Sequence, residues 1–174
     1  MAGLTGGQTK RVDLGGKTVI PGLIDSHVHS VGASMYEFDH SVPEMDTIAD
    51  VLDYVRRRAE TLEDGQWIRV RQVFITRLRE RRYPTRAELD AAAPNNPVYF
   101  STGPDASLNS LALELSGINK AFQIQEGGQG RIERDPETGE PNGIIRSAGY
   151  LVNVGDTGAR SATPTDRYER LKRL

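Results

Sequence analysis

The run Leu23-Ile24-Asp25-Ser26-His27-Val28-His29 constrains this chain more than any other stretch. It follows a Pro21-Gly22 break and precedes a loop that begins near Gly32. Its mostly apolar character suits a buried strand over Leu23–His29. In a strand, residues two apart share a face, so Asp25, His27 and His29 would point one way and Ile24, Ser26 and Val28 the other. Two imidazoles one strand step apart can bind one divalent ion through ring nitrogens. Asp25 lies one step deeper and could accept the far N–H of an imidazole. The plain alternative is a polar strand end with no ligand. Two of the three histidines of the chain sit in this motif, and the third, His40, reads as a loop residue.

Composition narrows the rest. The chain has 174 residues, enough for one domain with a real core. It carries 24 acidic against 22 basic side chains, a formal net charge of −2, which argues against a general nucleic-acid binder. It has no Cys, which excludes a thiolate metal site and a cysteine nucleophile and suits a reducing, cytoplasmic setting. No apolar run is long enough for a membrane span, and the first residues lack a signal-peptide pattern. A serine-hydrolase elbow, Gly-x-Ser-x-Gly, is absent. Gly16-Lys17-Thr18 mimics the end of a phosphate loop, but Arg11 stands where its first Gly belongs and a strand is expected to follow.

The pattern along the chain is mixed α/β. Arg11–Leu14 and Lys17–Ile20 read as two short strands about Gly15-Gly16. Residues 30–45 read as loop. Residues 46–63 form the clearest helix, with Ile48, Val51, Leu52, Val55, Ala59 and Leu62 on one stripe and Gly65 as the stop. Arg56 and Glu60 are placed to pair on its exposed side. Trp67–Phe74 alternates as a strand. Thr85-x-x-Glu88 is a capping box for a helix to Ala93, and Pro97–Ser101 is a strand. Asp105 or Ser107 could cap a helix over Leu108–Ser116 that Gly117 ends. Arg131–Asp135 and Gly143–Ser147 flank a turn at residues 136–141. Thr163-Pro164-x-Asp166 opens a last helix. Seven arginines between Arg69 and Arg86 could contact phosphates, but in a chain this rich in carboxylates they read as a solvated or salt-bridged face.

Val19-Ile20-Pro21-Gly22-Leu23-Ile24-Asp25-Ser26-His27-Val28-His29 resembles the first barrel strand of the amidohydrolase superfamily, metal-dependent hydrolases on a (β/α)₈ barrel. Residues 9–18 resemble strands of the small β-sandwich beside that barrel. Several later stretches resemble the amidohydrolase-3 group, which includes N-substituted formamide deformylases. They are Gly65–Ile68, Tyr83–Asp90, Pro97–Phe100, Asn109–Leu113, Ser116–Ile118 and Gly139–Ile145.

The resemblance implies an α/β fold with an incomplete TIM barrel, since a full barrel takes about 250 residues. Residues 1–22 would be partial sandwich strands and 23–42 the first barrel strand with its ligand loop. Residues 43–160 would be an inserted α+β subdomain and 161–174 the start of a barrel helix. It implies that His27 and His29 ligate a divalent metal, commonly zinc, with Asp25 behind them. It further implies hydrolysis of a small amide-type substrate at a C–N bond. The family's carboxylate base, an Asp on the last barrel strand, has no counterpart in this chain, nor do its later ligands. The expectation is therefore an N-terminal fragment that is inactive alone, with self-association or a missing C-terminal segment as the partner for its open edge. Many relatives carry Gly-His after the Pro-Val strand, where this chain has Ser101-Thr102-Gly103-Pro104-Asp105-Ala106. Two rival readings are a phosphoesterase of the polymerase-and-histidinol-phosphatase type, which also opens with Asp-x-His-x-His, and a non-enzymatic α+β binding or assembly module.

Overall fold

A computed structural model describes residue 3, residues 6–22 and residues 27–173. Its centre is a five-stranded mixed sheet in the order β1-β2-β3-β5-β4. The strands are β1 (Ile68–Val70), β2 (Val98–Thr102), β3 (Asp105–Leu108), β4 (Arg131–Arg134) and β5 (Pro141–Arg146). β1 and β2 run parallel, joined through a helix, and every other pairing is antiparallel. The helices are α1 (Ser30–Ser34), α2 (Ile48–Ala59), α3 (Arg86–Ala92), α4 (Ser110–Leu115) and α5 (Pro164–Leu171), with a 3₁₀ turn at Gly149–Leu151.

Period-two alternation divides the core between the two faces of the sheet. Ile68, Val70, Val98 and Phe100 face α2 and α3. Trp67, Tyr99, Ala106, Leu108 and Ile145 face the other way, with Ala112 and Leu113 of α4 and with Ala148 and Val152. The stripe expected on α2 is the buried one: Val51 and Val55 are fully inaccessible, and Leu52, Ala59 and Leu62 pack against the same cluster. Each buried valine contributes about 1.5–3 kcal/mol relative to exposure.

Caps fix the helix ends. Thr47, Thr85 and Thr163 each accept the N–H three residues on, and Asp50, Glu88 and Asp166 each return the bond, giving three capping boxes. Gly65 and Gly117 end their segments with φ of +85° and +68°. On α2, Arg56 pairs with Asp53 at 3.3 Å, the residue one turn back, rather than with Glu60.

Several expectations are corrected. The helix expected at Leu108–Ser116 is shorter, and Asn109 caps it; Asp105 and Ser107 lie inside β3. Their polar groups serve tertiary contacts instead: Ser107 donates to the Pro84 carbonyl at 2.6 Å, and Asp105 accepts from Tyr83. The strand expected over Trp67–Phe74 stops at Val70, and Gln72 takes a left-handed φ of +64°. Residues 11–14 and 17–20 form only a turn, in which Lys17 N–H donates to the Leu14 carbonyl at 3.1 Å. A lone two-stranded hairpin is marginal in water, and here its apolar side chains find no surface: Val19 and Ile20 are 73% and 67% exposed. Of the strand expected over Leu23–His29, residues 23–26 lie outside the described residues, and 27–29 are not strand. Ser30–Ser34, expected as loop, is a short helix. Among the described residues no helix is long and apolar enough to cross a membrane.

Candidate functional site

His27 and His29 lie at the entry to α1. His29 occupies its N-cap position with φ −90° and ψ 65°, and its carbonyl accepts the Ala33 N–H at 2.9 Å. The two imidazoles meet edge to face, with ring centroids 5.1 Å apart and planes at 78°. Both residues are exposed. Two imidazoles on one tetrahedral zinc, at about 2.0–2.1 Å per bond, hold their centroids about 5 Å apart. The pair is thus spaced as part of a divalent-metal site would be, and equally as an ordinary edge-to-face ring contact is. It does not fill a metal site: no group of three or more His, Asp or Glu that could hold an ion occurs among the described residues. Asp25, expected behind the pair, lies outside them.

His40 is not part of this pair. Its Nδ1 bonds Asp39 at 2.9 Å and its Nε2 bonds the Tyr54 hydroxyl at 2.8 Å, so both ring nitrogens are occupied. Burial raises the Tyr54 phenol above its ordinary value. Asp39 is held below the usual carboxylate range, first by the Arg160 N–H at 2.9 Å and then by His40 and Arg58.

The segment Ser101–Ala106 is the tight β2–β3 connection, with Gly103 at φ +65°. Asp105 is its polar centre. It accepts from the Ser147 N–H at 2.7 Å, from the Tyr83 hydroxyl at 3.1 Å and from Arg146 at 3.2 Å. Burial opposes ionisation of Asp105, but these donors outweigh it and hold its carboxyl below the ordinary range. The Arg146 guanidinium also bonds Glu133 at 2.7 Å and lies over the Tyr83 ring, 4.7 Å from its centroid. These groups tie β3, β4 and β5 together and leave Asp105 committed to structure.

The sequence model of the amidohydrolase family matches residues 10–172. The chain belongs to the amidohydrolase family. Among curated relatives, it is 39% identical over 168 residues to N-substituted formamide deformylase of Arthrobacter pascens, covering 92% of this chain and 30% of that protein. It is 30% identical over 150 residues to the protein LONG AFTER FAR-RED 3 of Arabidopsis thaliana, covering 85% and 25%. It is 25% identical over 140 residues to the putative amidohydrolase YtcJ of Bacillus subtilis, covering 79% and 26%. The chain thus spans about a third or less of the relatives it matches. No solved structure matches it. The five-stranded sheet and its helices are the described part of this family member, and they are mixed α/β.

One grouping escapes a reading of the sequence. Arg58, Arg69, Arg71, Arg160 and Arg167 converge on one cavity, although they come from α2, from β1 and the residue after it, from the approach to α5 and from α5 itself. The local signal is the arginine run that opens with Arg69 and Arg71, two residues apart, which by itself reads as a solvated or salt-bridged face. Other arginines of the same stretch do pair: Arg82 bonds Glu88 twice at 2.7 Å, and Arg86 approaches Asp90 at 4.0 Å.

Proposed function

We propose that this chain carries the first metal ligands of an amidohydrolase that cleaves an amide-type C–N bond, with N-substituted formamides as the leading substrate class. The observation that carries this reading is the 39% identity to a formamide deformylase across nearly the whole chain. The paired imidazoles of His27 and His29 support it, because their separation suits two donors on one ion. In this reading His27 and His29 hold a divalent metal, zinc by chemical preference, and Asp25 orients one of the rings. Such an ion, when bound, supplies a water of lowered pKa and polarises the scissile carbonyl. The chain's own part is to hold the two imidazoles together at the mouth of a short helix.

A catalytic zinc takes three protein ligands and keeps one position open. The remaining ligands and the carboxylate base would then come from outside these 174 residues, and these residues alone would not turn over. The same reading assigns residues 1–22 to sandwich strands, 23–42 to the first barrel strand and its loop, 43–160 to an inserted subdomain, and 161–174 to a barrel helix. It places the enzyme in the cytoplasm, where a chain without Cys is at home.

Formate release from N-butylformamide and formanilide tests this, using the 174-residue chain and the full open reading frame that contains it. Zinc-dependent release by the longer protein, lost in His27→Ala and His29→Ala, supports the reading. Release by the 174 residues alone overturns the incomplete site, and release that survives both substitutions overturns the ligand assignment.

A further inference from the structure

The cavity of about 340 Å³ between α2, β1 and the segment that leads into α5 lies apart from His27 and His29, neither of which lines it. Its size suits a small organic molecule. Its charge is lopsided for a chain of net charge −2. Five arginines line it, against Asp39 as the one carboxylate. That carboxylate is already engaged: it accepts from the Arg160 N–H and His40, with Arg58 at 3.7 Å. Among the described residues the guanidinium groups of Arg69, Arg71, Arg160 and Arg167 make no ion pair. Arg69 lies 5.7 Å from the Tyr99 ring centroid, and Arg160 lies 4.1 Å from that of Phe38. Both are held over aromatic faces rather than neutralised. Burial, followed by the charge of Arg71, lowers the Arg69 pKa.

The walls are aromatic. Phe38, Tyr54 and Trp67 line the same space, and Trp67 and Tyr54 are buried. Flat apolar walls beneath a ring of unpaired guanidinium forks suit a ligand with an apolar body and an oxyanion head.

We propose that this cavity binds a small organic anion, its carboxylate or phosphate head held by Arg69, Arg71, Arg160 and Arg167 and its flat body set against Phe38, Tyr54 and Trp67. The site stands on its own geometry and does not depend on the hydrolase reading.

Isothermal titration calorimetry of the 174-residue chain with benzoate, phenyl phosphate and neutral benzamide tests it. Both anions, or one of them, should bind saturably while benzamide does not, and added NaCl should weaken the binding. Tighter binding of benzoate identifies a carboxylate ligand, and tighter binding of phenyl phosphate identifies a phosphate. Arg71→Ala and Arg167→Ala remove exposed side chains that make no ion pair, so the fold should persist by circular dichroism. Each should weaken binding about tenfold, as loss of one charge-assisted contact does. Arg131→Ala, an exposed arginine on β4, should not. Equal binding of benzamide, no saturable binding of either anion, or equal affinity in Arg71→Ala, Arg167→Ala and Arg131→Ala overturns the proposal.

Discussion

The side-chain oxygen of Asn109 accepts the backbone N–H of Val98 at 2.9 Å, across eleven residues and inside the core. The same oxygen accepts the Ala112 N–H at 3.0 Å, and the amide nitrogen donates to the carbonyls of Asn96 at 2.9 Å and Ala93 at 3.3 Å. One buried side chain therefore caps α4, closes the loop after α3 and anchors the first residue of β2. Asn109→Ala would leave these backbone groups without that partner, each at about 1–3 kcal/mol when buried. The variant should lose at least about 3 kcal/mol in urea unfolding. Asn109→Asp should not restore it, because a carboxylate offers no N–H to Ala93 and Asn96.

Gly143 sits on β5 with φ +100°. A Cβ there would come within 2.6 Å of the Leu108 carbonyl oxygen and 3.0 Å of the Arg86 Cβ. The first contact is with backbone that cannot swing away, and the φ disfavours any side chain. Gly143→Ala should cost at least about 2 kcal/mol in urea unfolding. Gly65→Ala meets open space at φ +85°, so it should cost less, which separates the clash from the backbone conformation.

Elements with a local signal are legible in the sequence: Thr85 with Glu88, Thr163 with Asp166, and the apolar stripe of α2. Each depends on residues three or four apart, and those contacts survive folding. Asn109 is not legible as the cap, because Asp105 and Ser107 are equally good caps taken locally. Pairing of β3 with both β2 and β5 decides among them, and that is a long-range fact. The strands expected near Gly15-Gly16 fail for the opposite reason, since their local pattern finds no surface to cover. At the candidate site, spacing alone draws attention to His27 and His29, whose rings do lie together. The arginine cavity is illegible because its members span Arg58 to Arg167 and meet only in the folded chain.

Zinc should bind the chain through the histidine pair. An ion that binds the native state raises its apparent stability by RT ln(1 + [L]/Kd). Added zinc should therefore raise the thermal midpoint, and His27→Ala or His29→Ala should abolish the rise. His40→Ala should leave the zinc response intact while lowering the midpoint itself, because His40 joins Asp39 to the buried Tyr54. An unchanged zinc response in His27→Ala would count against the pair.

Glu88 gives the chain a pH-dependent lock. Its carboxylate bonds Arg82 twice at 2.7 Å and accepts from the Thr85 N–H and hydroxyl at 2.7 and 2.9 Å. Arg82 first, and then the Thr85 donors against an opposing burial effect, lowers its pKa from 4.5 to about 2. A carboxylate with a depressed native pKa stabilises the fold fully above its unfolded value of 4.5. That contribution is lost as the pH falls from 4.5 through about 2. Glu88→Gln keeps a hydrogen-bonding cap but removes the charge. It should be less stable than the parent at about pH 7 by up to about 1 kcal/mol, the scale of a partly exposed ion pair. The gap should narrow steadily below pH 4.5 and close near pH 2 in urea titrations taken at each pH. A gap independent of pH would mean that the Arg82 pairing contributes nothing beyond the cap.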